Sequence, residues 1–344
     1  MRVGDVYFTG LGVMQPKRVS AREAVAKGWY DETAYKENGL TAVCVAGEIS
    51  PPEMAVIAAR HAFARSGEDP KDVGALFHSS AFLQGPEMWL PGYYIQRELI
   101  GGRVPAFEIR LGCNGLFGSL ELATCRMAVM PHDQTVLVTT ADNMESPLLN
   151  RWNVQPGFLI GDAGSSVILS RRPGFARLLS VGTSAVSELE QLHRGNEPLF
   201  PPGASSGRKI DMTERAIYFR DNVMDLTTLA ELGNEALKDL TAQVLDEADT
   251  KPDEIARIAY NNTAGYFLEH LVLKPLNYTF AQSTFKFGSG IGHTGASDQL
   301  LSLNYLLTTG GVKPGDRVLL SGGAPGYSLA CAVVEILEIP DWKD

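Results

Sequence analysis

The stretches "GCNGLFGSLELATCRMAVMPHDQTVLVTT" (residues 112–140) and "GHTGASDQLLSLNYLLTTGGVKPGDRVLLSGG" (residues 292–323) follow one plan twice in a single chain. Each opens on a Gly-x-x-Gly turn, continues as an apolar helix pattern, breaks at a Pro or Gly loop and ends in a hydrophobic strand. Val136 lies 23 residues beyond Cys113, and Val318 lies 25 beyond His293. Matched punctuation at two distant places predicts an internal duplication, with Cys113 and His293 at equivalent corners of two pseudo-symmetric halves.

Outward from these stretches the chain alternates β-like and helix-like runs: "VYFTGLGV", "EMAVIAARHAFARSG", "ALFHSS", "VPAFEIRLG" and "TVLVTT". Such alternation predicts an α/β fold. Ser50-Pro51-Pro52-Glu53 reads as a helix start, with a hydroxyl cap, prolines in the first turn and a carboxylate at the third position. A length of 344 residues with 44% hydrophobic and 8% aromatic content is enough for a well-buried two-part core. The expected halves are residues 1–172, carrying Cys113, and residues 173–344, carrying His293.

A net charge of −10 argues against nucleic acid or an anionic membrane as partner, since both would repel the chain. The N-terminus lacks an apolar signal core, and no run approaches the ~18 apolar residues of a membrane span, so a cytoplasmic protein is expected. Cys44, Cys113, Cys125 and Cys331 are far apart and form no CxxC pair. Neither disulfide framework nor metal site is expected, and no cofactor. Cys44, Cys125 and Cys331 lie within apolar stretches and read as inert small hydrophobes.

Cys113 differs. It follows a strand-like run and precedes a helix-like one, which puts its thiol at a helix N-terminus where unpaired N–H groups and the helix dipole favour thiolate. Gly112 and Gly115 would permit the tight turn. Context alone leaves nucleophile and buried thiol evenly balanced.

"VPAFEIRLGCNGLFGSLELA", "FLIGDAGSSVILS", "GHTGASDQLLSLNYLL" and "LLSGGAPGYSLACAVVEI" fall in the order and at the separations of the β-ketoacyl-carrier-protein synthase III group of the thiolase superfamily, which the chain resembles over nearly its whole length. The resemblance implies a five-layered αβαβα thiolase fold, a homodimer and a cysteine, here Cys113, that accepts an acyl group from a thioester. Gly322-Gly323-Ala324-Pro325-Gly326 is similar to the GFGPG loop of the related chalcone synthases. The oxyanion hole is then expected from the N–H of Cys113 and one from this loop; Pro325 has none, which leaves Ala324 as the expected donor.

The sequence departs from that group in two ways. Condensing members carry His after the next-to-last core strand and Asn in the following GNTS-like motif, whereas here Asn261 or Asn262 takes the first position and His293 the second. A decarboxylating condensation needs hydrogen-bond donors rather than a base, because loss of carbon dioxide creates the nucleophile. Transfer to a hydroxyl or amine needs a base, and a His held by a carboxylate supplies one. Asp298 is the nearest carboxylate. On an uninterrupted helix residues five apart point about 140° apart; a turn over "GHTGA" with a helix starting near Ser297 would let them meet. The spacing alone suits a first-turn carboxylate that complements the helix dipole. The resemblance to an acyltransferase subset of antibiotic and polyketide biosynthesis, with Cys, His and Asp at these positions, implies Cys113, His293 and Asp298 as the catalytic set. Asn261 and Asn262 are expected at a strand end, where an amide orients the acyl group or acceptor, or simply makes a turn.

Secondly, the Trp and Arg that clamp coenzyme A in synthase III relatives are replaced here by Thr33 and Glu37. That favours an acyl carrier protein over coenzyme A as donor. An acidic carrier requires a local basic rim, for which Lys274, Arg208, Arg215, Lys209 and Arg220 are candidates. The Pro/Gly-rich segment from His193 to Asp211 reads as a lid or a solvated connector, with His193 a possible contact to a sugar- or cyclitol-like acceptor. Trp89, Trp152 and Phe200 are candidates for shaping the pocket. Competing functional readings are a decarboxylative carbon–carbon condensing synthase and a non-catalytic chain-length-factor-like subunit.

Overall fold

The computed structural model describes residues 1–342. Its strands are β1 (Tyr7–Met14), β2 (Lys17–Ser20), β3 (Ala42–Val45), β4 (Val73–Ser79), β5 (Ala106–Ile109), β6 (Thr135–Asp142), β7 (Ala163–Ser170), β8 (Ala176–Ala185), β9 (Ile255–Ala259), β10 (Arg317–Ala324) and β11 (Ser328–Ile336). β2 and β3 form a separate pair; the other nine run in the order β5-β4-β6-β7-β1-β8-β11-β10-β9. Every residue of β6 and β7 is buried. That is why "TVLVTTAD" and "AGSSVILS" use small or apolar side chains at nearly every position instead of alternating with charge: both faces are covered.

About the junction of β1 and β8 the order β4-β6-β7-β1 is mirrored by β9-β10-β11-β8, with β5 an additional edge strand on the first side. On one side β5, β4 and β6 are parallel and β7 and β1 follow antiparallel. On the other, β9 and β10 are parallel and β11 and β8 follow antiparallel. The two half-sheets join where Tyr7 and Phe8 of β1 pair with Arg177 and Ala176 of β8, and the N-terminal residues extend the seam with a bridge between Arg2 and Ser180.

Helices fill the remaining layers. The Pro51–Ser66 helix covers β1, β6 and β7, and the Leu226–Glu247 helix covers β8 and β11. Between the half-sheets lie the Gly115–Met127 helix, packed on β4, β6 and β8, and the Asp298–Thr308 helix, packed on β1, β7 and β9. The result is the five-layered αβαβα arrangement expected. Its central core joins Phe8, Leu116, Phe117, Val138, Leu300 and Leu303, all fully buried. Burying side chains of this size contributes about 1.5–3 kcal/mol each. Ser50 and Glu53 close the N-terminus of the first outer helix as anticipated, the Ser50 N–H donating to Glu53 Oε2 at 2.9 Å.

The two central helices decide where chemistry can occur. Both begin at the same end of the half-sheets, so the turns leading into them, Gly112–Asn114 and Gly295–Ser297, face each other.

Candidate active site

β5 ends at Ile109, and the chain turns at Gly112, whose φ of +54° suits glycine, into a short 3-10 turn that carries Cys113 half-buried. The helix follows at Gly115. The second turn is fixed from outside: the His293 N–H donates to the Leu159 carbonyl at 2.8 Å, and its own carbonyl accepts from the Gly161 N–H at 2.9 Å. Gly295, at φ +65°, bends "GHTGA" into a 3-10 turn, and the helix starts at Asp298. The five-residue separation is therefore spanned by a turn, not by helix.

His293 Nδ1 lies 2.5 Å from Asp298 Oδ2, and its Nε2 lies 2.9 Å from Cys113 Sγ. With Nδ1–H donating to the carboxylate, Nε2 is left to exchange a proton with the sulfur. The edge of Phe158 packs on the imidazole at 5.6 Å between ring centres, which restricts the ring further.

Asp298 is fully buried yet well partnered. Besides His293, it accepts from the Thr294 N–H (2.8 Å), the Thr294 hydroxyl (2.7 Å), the Asn262 N–H (2.8 Å) and the Asn262 side-chain amide (2.8 Å). A buried carboxylate survives only with its lone pairs satisfied, and here both oxygens are. Burial works against a charged His293. Charge interactions with Cys113 and Asp298, and hydrogen bonds to both, outweigh it and raise the imidazole well above its ordinary range.

A second buried carboxylate braces the turn. Asp142, at the end of β6, accepts from the N–H groups of Ala81 (2.9 Å) and Phe82 (2.8 Å). Burial pushes its carboxyl up to about 7, against the donors Phe82, Ala81 and Ala296 and the charge of His293. It lies so close to Gly295 that a Cβ there would sit 2.3 Å from Oδ2.

Other candidates fall elsewhere. Asn261 and Asn262 do follow the end of β9, but Asn262 holds Asp298 and the Gly292 carbonyl (2.9 Å) instead of pointing at an acyl group. Asn261 Oδ1 accepts from the Gly323 N–H at 2.7 Å. Because that N–H points away from β11, the alternation of an extended strand turns the next one, that of Ala324, toward β11. Ala324 does touch the nucleophile turn, its Cβ 3.4 Å from where a Gly112 Cβ would be. Its N–H, however, is directed along the ladder, contrary to the expected oxyanion role.

Arg208 and Arg215 are not a free basic rim. Both bind Glu197, at 2.9 and 2.6 Å, and Arg215 also donates to the His193 carbonyl at 2.9 Å, so they clasp the 193–211 segment. Lys274 is exposed, paired with Glu269 at 3.0 Å. His193 sits over Tyr327, 6.5 Å between ring centres, and burial, with the Arg215 charge, pushes its imidazole down to about 4. Trp152 packs into the core against Tyr30, Trp89 packs on Tyr94, and Phe200 stands 82% exposed. Three contributors escaped the sequence reading, Asp142, Thr294 and Phe158. Thr294 was adjacent to His293 and recognisable as a capping type; Phe158 opens the quoted "FLIGDAGSSVILS" motif, but its contact with His293, 135 positions away, left no local trace.

Among the described residues no group of three or more His, Cys, Asp or Glu could hold a metal ion, and no helix is long and apolar enough to cross a membrane. Residues 245–336 match the family described as 3-oxoacyl-[acyl-carrier-protein] synthase III, C terminal. The mycobacterial β-ketoacyl-[acyl-carrier-protein] synthase III of Mycobacterium marinum is 26% identical over 97% of this chain and 96% of its own. The solved structure of ChlB3, described as an acyltransferase, superposes with a TM-score of 0.94 at 38% identity, covering 98% of this chain and 99% of that one. The 3-oxoacyl-[acyl-carrier-protein] synthase III of Aquifex aeolicus superposes with a TM-score of 0.76 at 19% identity over 96% and 99% of the two chains, a likeness of fold. By fold, motif order and relatives, this chain belongs to the β-ketoacyl-[acyl-carrier-protein] synthase III-like family of the thiolase superfamily.

Proposed function

We propose that the protein is an acyltransferase that moves an acyl group from a carrier-protein thioester, through an acyl-Cys113 enzyme, to a hydroxyl or amine of a small sugar- or cyclitol-like acceptor. The observation that carries this reading is the unbroken line from Cys113 Sγ through His293 to Asp298. The Cys113 thiolate attacks the thioester carbonyl, and the π electrons move to oxygen. Collapse expels the pantetheine sulfur, which takes the His293 proton and leaves a neutral imidazole. An acceptor O–H or N–H then gives its proton to Nε2 as its heteroatom attacks the acyl-Cys113 carbonyl. The second collapse returns thiolate and imidazolium. Asp298 keeps Nδ1–H fixed, so that Nε2 is the nitrogen offered at both steps.

Two further observations support the setting. The described acyltransferase activity of ChlB3, the 38% identical structure, fits this chemistry. Thr33 and Glu37 are exposed on the Glu32–Asn38 helix and offer neither ring nor cation to a nucleotide, which favours a carrier-borne donor with Lys274 in its docking rim. A homodimer would cover the apolar surface of Leu83, Met88, Leu90, Tyr93 and Phe107, which lies exposed around edge strand β5.

Acyl-carrier loading followed by a panel of alcohols and amines tests the reading: ester or amide products support it. Release of carbon dioxide and a β-keto product from malonyl-carrier would instead make the protein a condensing synthase.

A further inference from the structure

Both collapses in the proposed reaction pass through a tetrahedral oxyanion on the carbon bound to Cys113 Sγ, and such a centre ordinarily has two hydrogen-bond donors. The N–H of Cys113, at the head of its turn, is one. The loop opposite does not supply the second in the expected way: Pro325 lacks an N–H, Ala324 turns its own toward β11, and the Gly323 N–H is already held by Asn261 Oδ1 at 2.7 Å.

Asn261 is 4% exposed, and its side-chain NH2 has no hydrogen-bond partner among the described residues. The Gly323 bond fixes which end of the amide is oxygen, so the unpaired end is a donor. A buried, unpartnered amide is destabilising, a penalty usually tolerated where a ligand will satisfy it. Its position agrees. On one side Asn262 grips the carboxylate that holds His293; on the other Gly323 leads directly to Ala324, which packs on Gly112 beside the nucleophile.

We infer that the Asn261 side-chain amide is the second oxyanion donor, taking the place of the backbone loop. Gly323 aims it, and the developing negative oxygen of the acyl carbonyl accepts from Nδ2. The inference rests on the acyl-enzyme reading, and it assigns Asn261 to the carbonyl that reacts in both steps, not to the acceptor.

The test follows acyl-Cys113 formation by intact mass, using an acyl N-acetylcysteamine thioester as donor, and its breakdown by hydroxylamine. Wild type must first form the adduct, which checks the underlying reading separately. Asn261→Asp keeps the acceptor for Gly323 but removes the donor, and Asn261→Ala removes both. The inference expects both variants to melt within a few degrees of wild type while formation and breakdown each slow by about 10²-fold or more. Formation within threefold of wild type in a folded Asn261→Asp variant, or slowing confined to breakdown, would overturn it.

Discussion

His293 Nδ1 and Asp298 Oδ2 stand 2.5 Å apart although a helix would have pointed the two side chains away from each other. Gly295 makes the difference, bending the chain so that the helix begins at the aspartate. The same bend presents Nε2 to Cys113 Sγ at 2.9 Å, so one local irregularity assembles the whole relay.

Asp298→Asn tests what the carboxylate contributes. With the new NH2 at the Oδ2 position it removes the acceptor that selects the Nδ1–H tautomer and faces the Asn262 N–H; with the NH2 at the Oδ1 position it faces the Thr294 donors instead. Acyl transfer is expected to fall by about 10²- to 10⁴-fold, measured as single-turnover release of the acyl group to an amine. Loss of less than tenfold would return Asp298 to a helix-capping role.

The ionisation of His293 is directly measurable. In free enzyme its ring is expected to titrate well above the ordinary 6.5 of histidine. A folded value raised above the unfolded one stabilises the protein fully below pH ~6.5 and loses that contribution as pH rises through the folded value. Acylation removes the charge interaction with Cys113, one of the causes of the upward shift, so the ring should titrate lower in acyl-enzyme and become the base the second step requires. Side-chain NMR of both forms checks this; an unchanged or higher value after acylation contradicts it.

Asn262→Ala deletes the amide that bridges Asp298 Oδ1 and the Gly292 carbonyl. Two buried acceptors each lose a donor, at about 1–3 kcal/mol apiece. Thermal denaturation should show a drop of several degrees, and acyl transfer should fall along with it because the carboxylate is no longer held.

Gly295→Ala meets two obstacles, a φ of +65° and a Cβ 2.3 Å from Asp142 Oδ2. Destabilisation of about 2–4 kcal/mol is expected, from left-handed backbone strain and displacement of a buried carboxylate. A melting temperature equal to wild type would mean the turn relaxes freely.

The strand and helix pattern, the two equivalent turns and the residues they carry were legible in the sequence because each is local: a turn glycine, a capping residue and an apolar run sit within a few positions of one another. Asp298 was legible only as one of two alternatives, since the outcome depended on where a helix begins. Asn261 and Asn262 were placed correctly at a strand end, yet their roles were set by Gly323 and Asp298, residues more than 30 positions away. Arg208 and Arg215 read as free surface charge because Glu197, which binds both, is 11 and 18 positions distant. Long-range pairing of this kind leaves no periodic trace. The packing of Trp152 on Tyr30, 122 positions away, was hidden for the same reason.

Intact-protein mass after brief incubation with an acyl-carrier thioester reads the acyl-Cys113 bond itself. Wild type should gain one acyl group, lost on adding an alcohol or amine acceptor, while Cys113→Ala should gain none. A wild-type protein that never acquires the adduct, or an equal adduct on Cys113→Ala, would contradict the account.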